Sequence, residues 1–253
     1  MRFTHLIILL NMLVFLSCKQ QKLNIIKIEG KQISINDSIR SNSEIDAFIK
    51  PFREHIEKDL DSVLAYAVGT YSKTDGKFNT AIGNLMADIV FEESNPIFNK
   101  RTGHNIDFVL LNHGGIRSII SKGNVSTRTA YSVMPFENSI VVVGLKGSKI
   151  NDIINYLIAS KRAHPFSSQL QLTIDNDYNA IEVLVNGTPI NNSKTYYIAT
   201  SDYLYNMGDG MTFFQPNEGA FPLDYKIRNA LIDNFKKVDT INPVIDNRYT
   251  QTP

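Results

Sequence analysis

The 253-residue chain has no tryptophan and one cysteine, Cys18, so an intramolecular disulfide is excluded. Charge of one sign is also missing: 26 Lys and Arg stand against 25 Asp and Glu, a formal net charge of +1. That balance, and the lack of any basic run, exclude the electrostatic footprint of a nucleic-acid binder. No apolar run reaches the about twenty residues that a membrane-spanning helix needs. No internal repeat and no low-complexity linker occurs after residue 42. What remains is ordinary globular composition, 43% hydrophobic with Phe and Tyr as its aromatics. The length suits one sizeable core or two small domains.

The N-terminus stands apart. Met1–Arg2–Phe3–Thr4–His5 is weakly basic, residues 6–16 are apolar except for Asn11, and Ser17, Cys18 and Lys19 follow. The run has the length of a secretory h-region. Cys18 after Leu16 and Ser17 resembles a bacterial lipobox, whose cysteine becomes the lipidated first residue; Phe15 stands where leucine is usual. The expectation is a signal peptide over residues 1–17, a lipidated Cys18 with a tether and hairpin over 18–42, and one domain over 43–253. The chain would be exported and lipid-anchored in the bacterial cell envelope, on its periplasmic or surface side, rather than spanning a membrane.

Patterning predicts the elements. Residues 25–35 alternate about Gly30 and predict a short hairpin. Apolar residues at helical spacing predict a helix over 43–64, capped by Ser43, with Pro51 kinking it or delaying its start. The same reasoning predicts helices over 79–93, 126–133, 149–159 and 223–238, and strands over 63–71, 106–111, 139–145, 169–174, 181–185 and 196–200. Asn186–Gly187 supplies a tight turn. Helices mixed with antiparallel-looking hairpins imply one α+β domain.

The most informative stretch is 112–138. The buried strand 106–111 runs into Asn112–His113–Gly114–Gly115–Ile116–Arg117. Two glycines permit close approach of the backbone. Spare N–H groups, an amide and a guanidinium make this turn a candidate anion cradle. Pro135–Phe136–Glu137–Asn138 presents a ring from a short loop. A guanidinium and a ring together suit a nucleotide, one for charge and one for the base. A second candidate ligand loop is Gly208–Asp209–Gly210, flanked by aromatics.

Taken in order, these segments resemble the C-terminal, substrate-binding domain of the 5′-nucleotidases, periplasmic and ecto-enzymes that also act on UDP-sugars and cyclic nucleotides. The resemblance covers about residues 43–250 and rests on Ile82–Gly83–Asn84–Leu85 with Asp88, the Gly114–Gly115 turn, Gly123–Asn124–Val125–Ser126, Pro135–Phe136–Glu137–Asn138, Leu145–Lys146–Gly147, Gly208–Asp209–Gly210 and Arg248. It implies a layered α/β domain with helices flanking mixed and antiparallel sheets. It also implies that Asn112 and Arg117 contact phosphate or ribose, and that Phe136 is one of two aromatics enclosing the base. Met211 stands where the second aromatic is usual, with Phe213 or Phe214 nearby as a substitute. Lys77 stands near the place of a usual arginine, and His113 replaces the first glycine of the turn. The expected substrate contacts are therefore Asn112, Gly114, Gly115, Arg117, Phe136, Asp209, Met211 and Phe213.

The family's catalysis belongs to a separate two-metal phosphoesterase domain. Of the five histidines, His5, His55, His104, His113 and His164, none lies in an Asp-x-His, Gly-Asn-His or Gly-His-x-His cluster. No catalytic residue, metal ligand or cofactor is expected in this chain; divalent metals are expected only in a catalytic partner. The implied role is the substrate-binding half of a 5′-nucleotidase-type phosphoesterase, inactive alone and gripping a nucleoside or nucleotide for a separately encoded metallophosphoesterase. The alternative is a lipid-anchored protein that binds the same ligands without hydrolysis.

Overall fold

The computed structural model describes residues 24–36 and 38–252. The expected signal peptide and lipidated Cys18 lie outside the described residues. The chain divides into two units, Met1–Phe48 and Ile49–Pro253.

In the first unit, residues 24–35 belong to no helix or strand, and Ile25, Ile26, Ile28, Ile33 and Ile35 are exposed. The hairpin expected about Gly30 is therefore absent. Alternation alone does not hold two strands together without an apolar surface to cover. Helix α1, Ser43–Leu60, starts at the far end of this unit and runs on into the next. Asn42, not Ser43, caps it: its Oδ1 accepts from the N–H groups of Glu44 at 2.9 Å and Ile45 at 3.3 Å. Pro51 lies within the helix.

The second unit is a mixed α/β structure with three sheets. The central sheet runs β2 (Phe108–Val109), β8 (Thr195–Ser201), β4 (Ser139–Lys146), β9 (Gly219–Lys226). It carries a core on each face. Ile140, Val142 and Ala199 point to one, packed under α2 (Ala81–Thr102) and α6 (Ile227–Lys237). Val141, Val143, Leu145 and Ile198 point to the other, with α4 (Gly147–Ser160) and β5 (Leu170–Ile174). Burial on both faces is why β4 reads as an unbroken apolar run. A smaller sheet, β10 (Thr240–Ile241), β1 (Val63–Ala67), β3 (Gly123–Ser126), joins the first core. The third sheet runs β11 (Tyr249–Gln251), β5, β6 (Ala180–Val185), β7 (Thr188–Pro189).

Two boundaries move. The helix predicted over 79–93 continues to Thr102, through Pro96, and stops at Gly103 in the left-handed region at φ 76°. Fully buried Phe98 ties its second half to the core. Burying that ring, worth about 2–3 kcal/mol, offsets the proline's cost of about 3 kcal/mol. The helix predicted from 223 starts at Ile227, because residues 219–226 pair with β4 as an edge strand. Pro222 is tolerated at an edge, where a missing N–H breaks no ladder.

Two other motif segments explain one another. Arg248 is 5% exposed. Its guanidinium donates to Asp88 Oδ1 at 3.1 Å and Oδ2 at 2.7 Å, to Asp246 Oδ2 at 2.7 Å, and to the Phe166 carbonyl at 2.7 Å. It binds the C-terminal tail to α2. Asn84 does the same, donating to Asn79 Oδ1 at 2.9 Å and the Val244 carbonyl at 3.0 Å.

Candidate functional site

Three loops at the end of the central sheet enclose a cleft of about 590 Å³. They are the turn after β2, the loop between α3 (Thr127–Val133) and β4, and the segment that opens with α5 (Asp202–Tyr205).

The first loop is a 3-10 turn, His113–Gly115, preceded by extended Asn112. The Asn112 amide folds back over it. A Cβ on Gly115 would lie 2.9 Å from Asn112 Oδ1, and one on Gly114 3.3 Å from Asn112 Nδ2. The glycines thus leave room for that amide, which donates to Asp209 Oδ2 at 2.7 Å. The Arg117 N–H donates to the Val133 carbonyl at 2.9 Å, tying the turn to α3. Its guanidinium carbon lies 5.8 Å from the Phe136 ring centroid. Arg117 is exposed and makes no ion pair among the described residues.

In the second loop Phe136 is 42% exposed at the cleft. Glu137 pairs with Lys226 and Arg228. Hydrogen bonds from Arg228 and then Lys226 pull its carboxyl down to about 2, so it stays ionised. Asn138 Nδ2 donates to Asp202 Oδ1 at 2.9 Å and ties this loop to α5.

The third segment bends sharply. Met207, Asp209 and Gly210 have φ of 67°, 51° and 73°. Asp is among the few side chains that tolerate this region. The Tyr203 hydroxyl donates to Asp209 Oδ1 at 2.9 Å, and the Tyr156 hydroxyl to the Asp209 carbonyl at 2.8 Å. The Tyr203 ring lies so close to Gly208 that a Cβ there would sit 2.4 Å from it. Asp209 is thereby held from three elements.

Asn112, Gly114, Gly115, Arg117, Phe136 and Asp209 all line this cleft. Met211 and Phe213 do not. Met211 is fully buried and Phe213 is 6% exposed; both belong to the second core, where Phe213 packs on Tyr156 at 5.5 Å and on fully buried Phe214 at 4.8 Å. The second ring of the cleft is Tyr203, 46% exposed. Its signal in the sequence was its place six residues before Asp209, in the aromatic flank of the Gly-Asp-Gly turn. Lys77 also lies elsewhere, donating to Gln251 Oε1 at 2.9 Å and resting 4.5 Å from the Phe78 ring centroid. The lysine at the turn is Lys73, whose ammonium donates to the Ile116 carbonyl at 2.9 Å.

Beneath the turn, burial lowers the pKa of His113. Burial first, and then the neighbouring His113 charge, take His164 down to about 4. Neutral His164 accepts the His113 N–H on Nδ1 at 3.4 Å. Among the described residues, no three His, Cys, Asp or Glu side chains are grouped to hold a metal ion. Among the described residues no helix is long and apolar enough to cross a membrane.

Comparison with known proteins agrees with the fold. Residues 61–216 match the family model described as 5′-nucleotidase, C-terminal domain. A 5′-nucleotidase of Vibrio vulnificus is 24% identical over 197 residues, covering 73% of this chain and 33% of that protein. The cell wall protein Lmo0130 of Listeria monocytogenes is 24% identical over 195 residues, covering 70% of this chain and 25% of that protein. The chain thus spans a third or less of these relatives. The crystal structure of a 5′-nucleotidase precursor from Thermus thermophilus superposes with a TM-score of 0.68 at 20% identity, covering 83% of this chain and 42% of that one. The family model takes in the turn, the Phe136 loop and the Asp209 segment together, and the chain belongs to the 5′-nucleotidase C-terminal domain family.

Proposed function

We propose that the cleft takes a nucleoside or nucleotide, and that the domain is the substrate-binding half of a 5′-nucleotidase-type phosphoesterase. One observation carries this reading: an exposed guanidinium with no ion pair among the described residues and two exposed rings, Arg117, Phe136 and Tyr203, line one cleft. Its volume, about 590 Å³, is within the range of small-ligand sites. Phe136 and Tyr203 offer stacking faces for a base, Arg117 a fork for phosphate, and Asn112 and Asp209 polar groups for the sugar. Hydrolysis is assigned to a separate metallophosphoesterase domain or subunit that carries the divalent metals. Gripping the non-reacting part of a substrate raises rate by orienting the reacting centre. Lipidation at Cys18 would hold the protein to the envelope membrane on the exported side.

The test adds the chain to an isolated metallophosphoesterase domain of the 5′-nucleotidase type and follows AMP hydrolysis. The proposal expects kcat/KM to rise and R117A to remove the rise. AMP binding without any change in turnover favours capture without hydrolysis. Failure to bind AMP or adenosine contradicts both readings.

A further inference from the structure

Arg228 is the second residue of α6 and is 4% exposed. A buried guanidinium is costly unless its donors are used. Here they are directed at one short stretch. Nη1 donates to the carbonyl oxygens of Pro135 at 3.1 Å, Phe136 at 3.3 Å and Met134 at 3.5 Å. Nη2 donates to Glu137. Nε is buried and has no acceptor among the described residues. The guanidinium carbon rests 4.0 Å from the Tyr131 ring centroid on α3.

Besides Arg228, the loop is held at its far end by Lys226 on Glu137 and by Asn138 on Asp202. Residues 134–138 belong to no helix or strand. The ends are tied, through the Met134 N–H to the Ala130 carbonyl at 2.9 Å and the Ile227 N–H to the Asn138 carbonyl at 3.1 Å. Residues 135–137 make no backbone-to-backbone hydrogen bond among the described residues. Phe136 stands in the middle of that span, with one face of the cleft depending on where its ring points.

We infer that Arg228 is a positioning residue: by collecting the carbonyls of 134–136 and the Glu137 carboxylate on one fork, it fixes the Phe136 ring at the cleft wall before any ligand arrives. A planar fork does this where an ammonium cannot, because it reaches several acceptors in fixed directions. Holding the ring in its binding orientation removes an ordering cost from association. The consequence for ligands rests on the proposed nucleotide reading of the cleft; the consequence for the loop does not.

The absence of tryptophan from the chain supplies a clean probe. In the full chain, Phe136→Trp places a single indole on the loop. Adding Arg228→Met is expected to lower the fluorescence anisotropy of that indole and raise its quenching by acrylamide, while the far-UV circular dichroism is unchanged. Glu137→Gln leaves the carbonyl contacts in place and is expected to leave the indole restrained. Arg228→Lys, which keeps the charge and covers the case in which R228M does not fold, is expected to loosen it to an intermediate degree. On the chain with Phe136 intact, R228M is expected to weaken AMP binding about tenfold, as for a loop competent about a tenth of the time. In an F136A background the same change should have little further effect. An indole as restrained in folded R228M or R228K as in the parent overturns the inference. So does an equal loss of AMP affinity with and without the Phe136 ring, or an E137Q variant as loose as R228M. A loosened indole in a chain that binds no AMP leaves Arg228 as the loop's holder and removes the nucleotide reading alone.

Discussion

Arg117 and Arg248 both lie in motif segments of the same family, and the fold treats them in opposite ways. Arg248 is buried, with all three nitrogens donating to Asp88, Asp246 or the Phe166 carbonyl. Arg117 is exposed, pairs with no carboxylate among the described residues, and lies beside a ring in an open cleft. The first arginine is consumed by the structure and the second is left over by it. A guanidinium with its donors satisfied internally has nothing to offer a ligand. One held over a cleft with its donors facing solvent offers all of them.

The comparison is sharpest where the two arginines are removed. R248A strands two carboxylates and a buried carbonyl, and the expected loss of unfolding free energy is about 3–5 kcal/mol, read by urea denaturation. R117A should stay within about 0.5 kcal/mol of the parent in the same assay. An Arg117 loss as large as that of Arg248 would erase the distinction.

The support under the Gly-Gly turn is tested by pH. His164 is 4% exposed, and its pKa is about 4 in the folded chain against an ordinary 6.5. The unfolded chain therefore binds more protons between those values, and stability falls as pH drops from 6.5 toward 4. The contribution is at most about 3 kcal/mol. Denaturation midpoints of the parent and of H164N should diverge at pH 7 and converge as pH approaches 4. Parallel curves across that window would count against a buried neutral imidazole.

Smaller effects belong to the cleft itself. F136A is expected to reduce AMP affinity by about 1–3 kcal/mol, the range for loss of one base–aromatic stack, with unfolding unchanged. Y203F keeps a ring but removes the donor to Asp209 Oδ1. Its expected cost in AMP affinity is about 1 kcal/mol, and calorimetry of the two variants ranks them. A Y203F effect exceeding that of F136A would move the main contact from the stack to the Tyr203–Asp209 pair.

How much of this was legible in the sequence depends on whether a signal was local. The double-sided burial of β4 shows as the run Ile140–Val141–Val142–Val143, and the amphipathic face of α4 as Ile150, Ile153, Ile154 and Leu157. The strand over 139–145 and the helix over 149–159 are legible locally, while the burial of β4 on both faces is a finding of the structure. The second half of edge strand β9, residues 223–226, carries helical spacing from Leu223 to Ile227, whereas the strand's pairing partner lies about eighty residues away in β4. At the cleft, Arg117 and Phe136 stood beside conspicuous turns. Met211 and Phe213 follow the Gly-Asp-Gly bend and lie in the second core, whereas Tyr203, which precedes it, lies at the cleft. Met207 and Asp209, with left-handed backbone, lie in the bend between the two flanks. Arg228 gave no local signal at all, because the acceptors it serves are ninety residues away along the chain.

The central claim is that the arginine left over by the fold belongs to a ligand. Isothermal titration of the full chain with AMP and adenosine, repeated on R117A, tests it most directly. The account predicts that the parent binds both, that AMP binds more tightly, and that R117A lowers AMP affinity by about 1.5–3 kcal/mol while leaving adenosine affinity unchanged. AMP bound equally well by the parent and by R117A would contradict it.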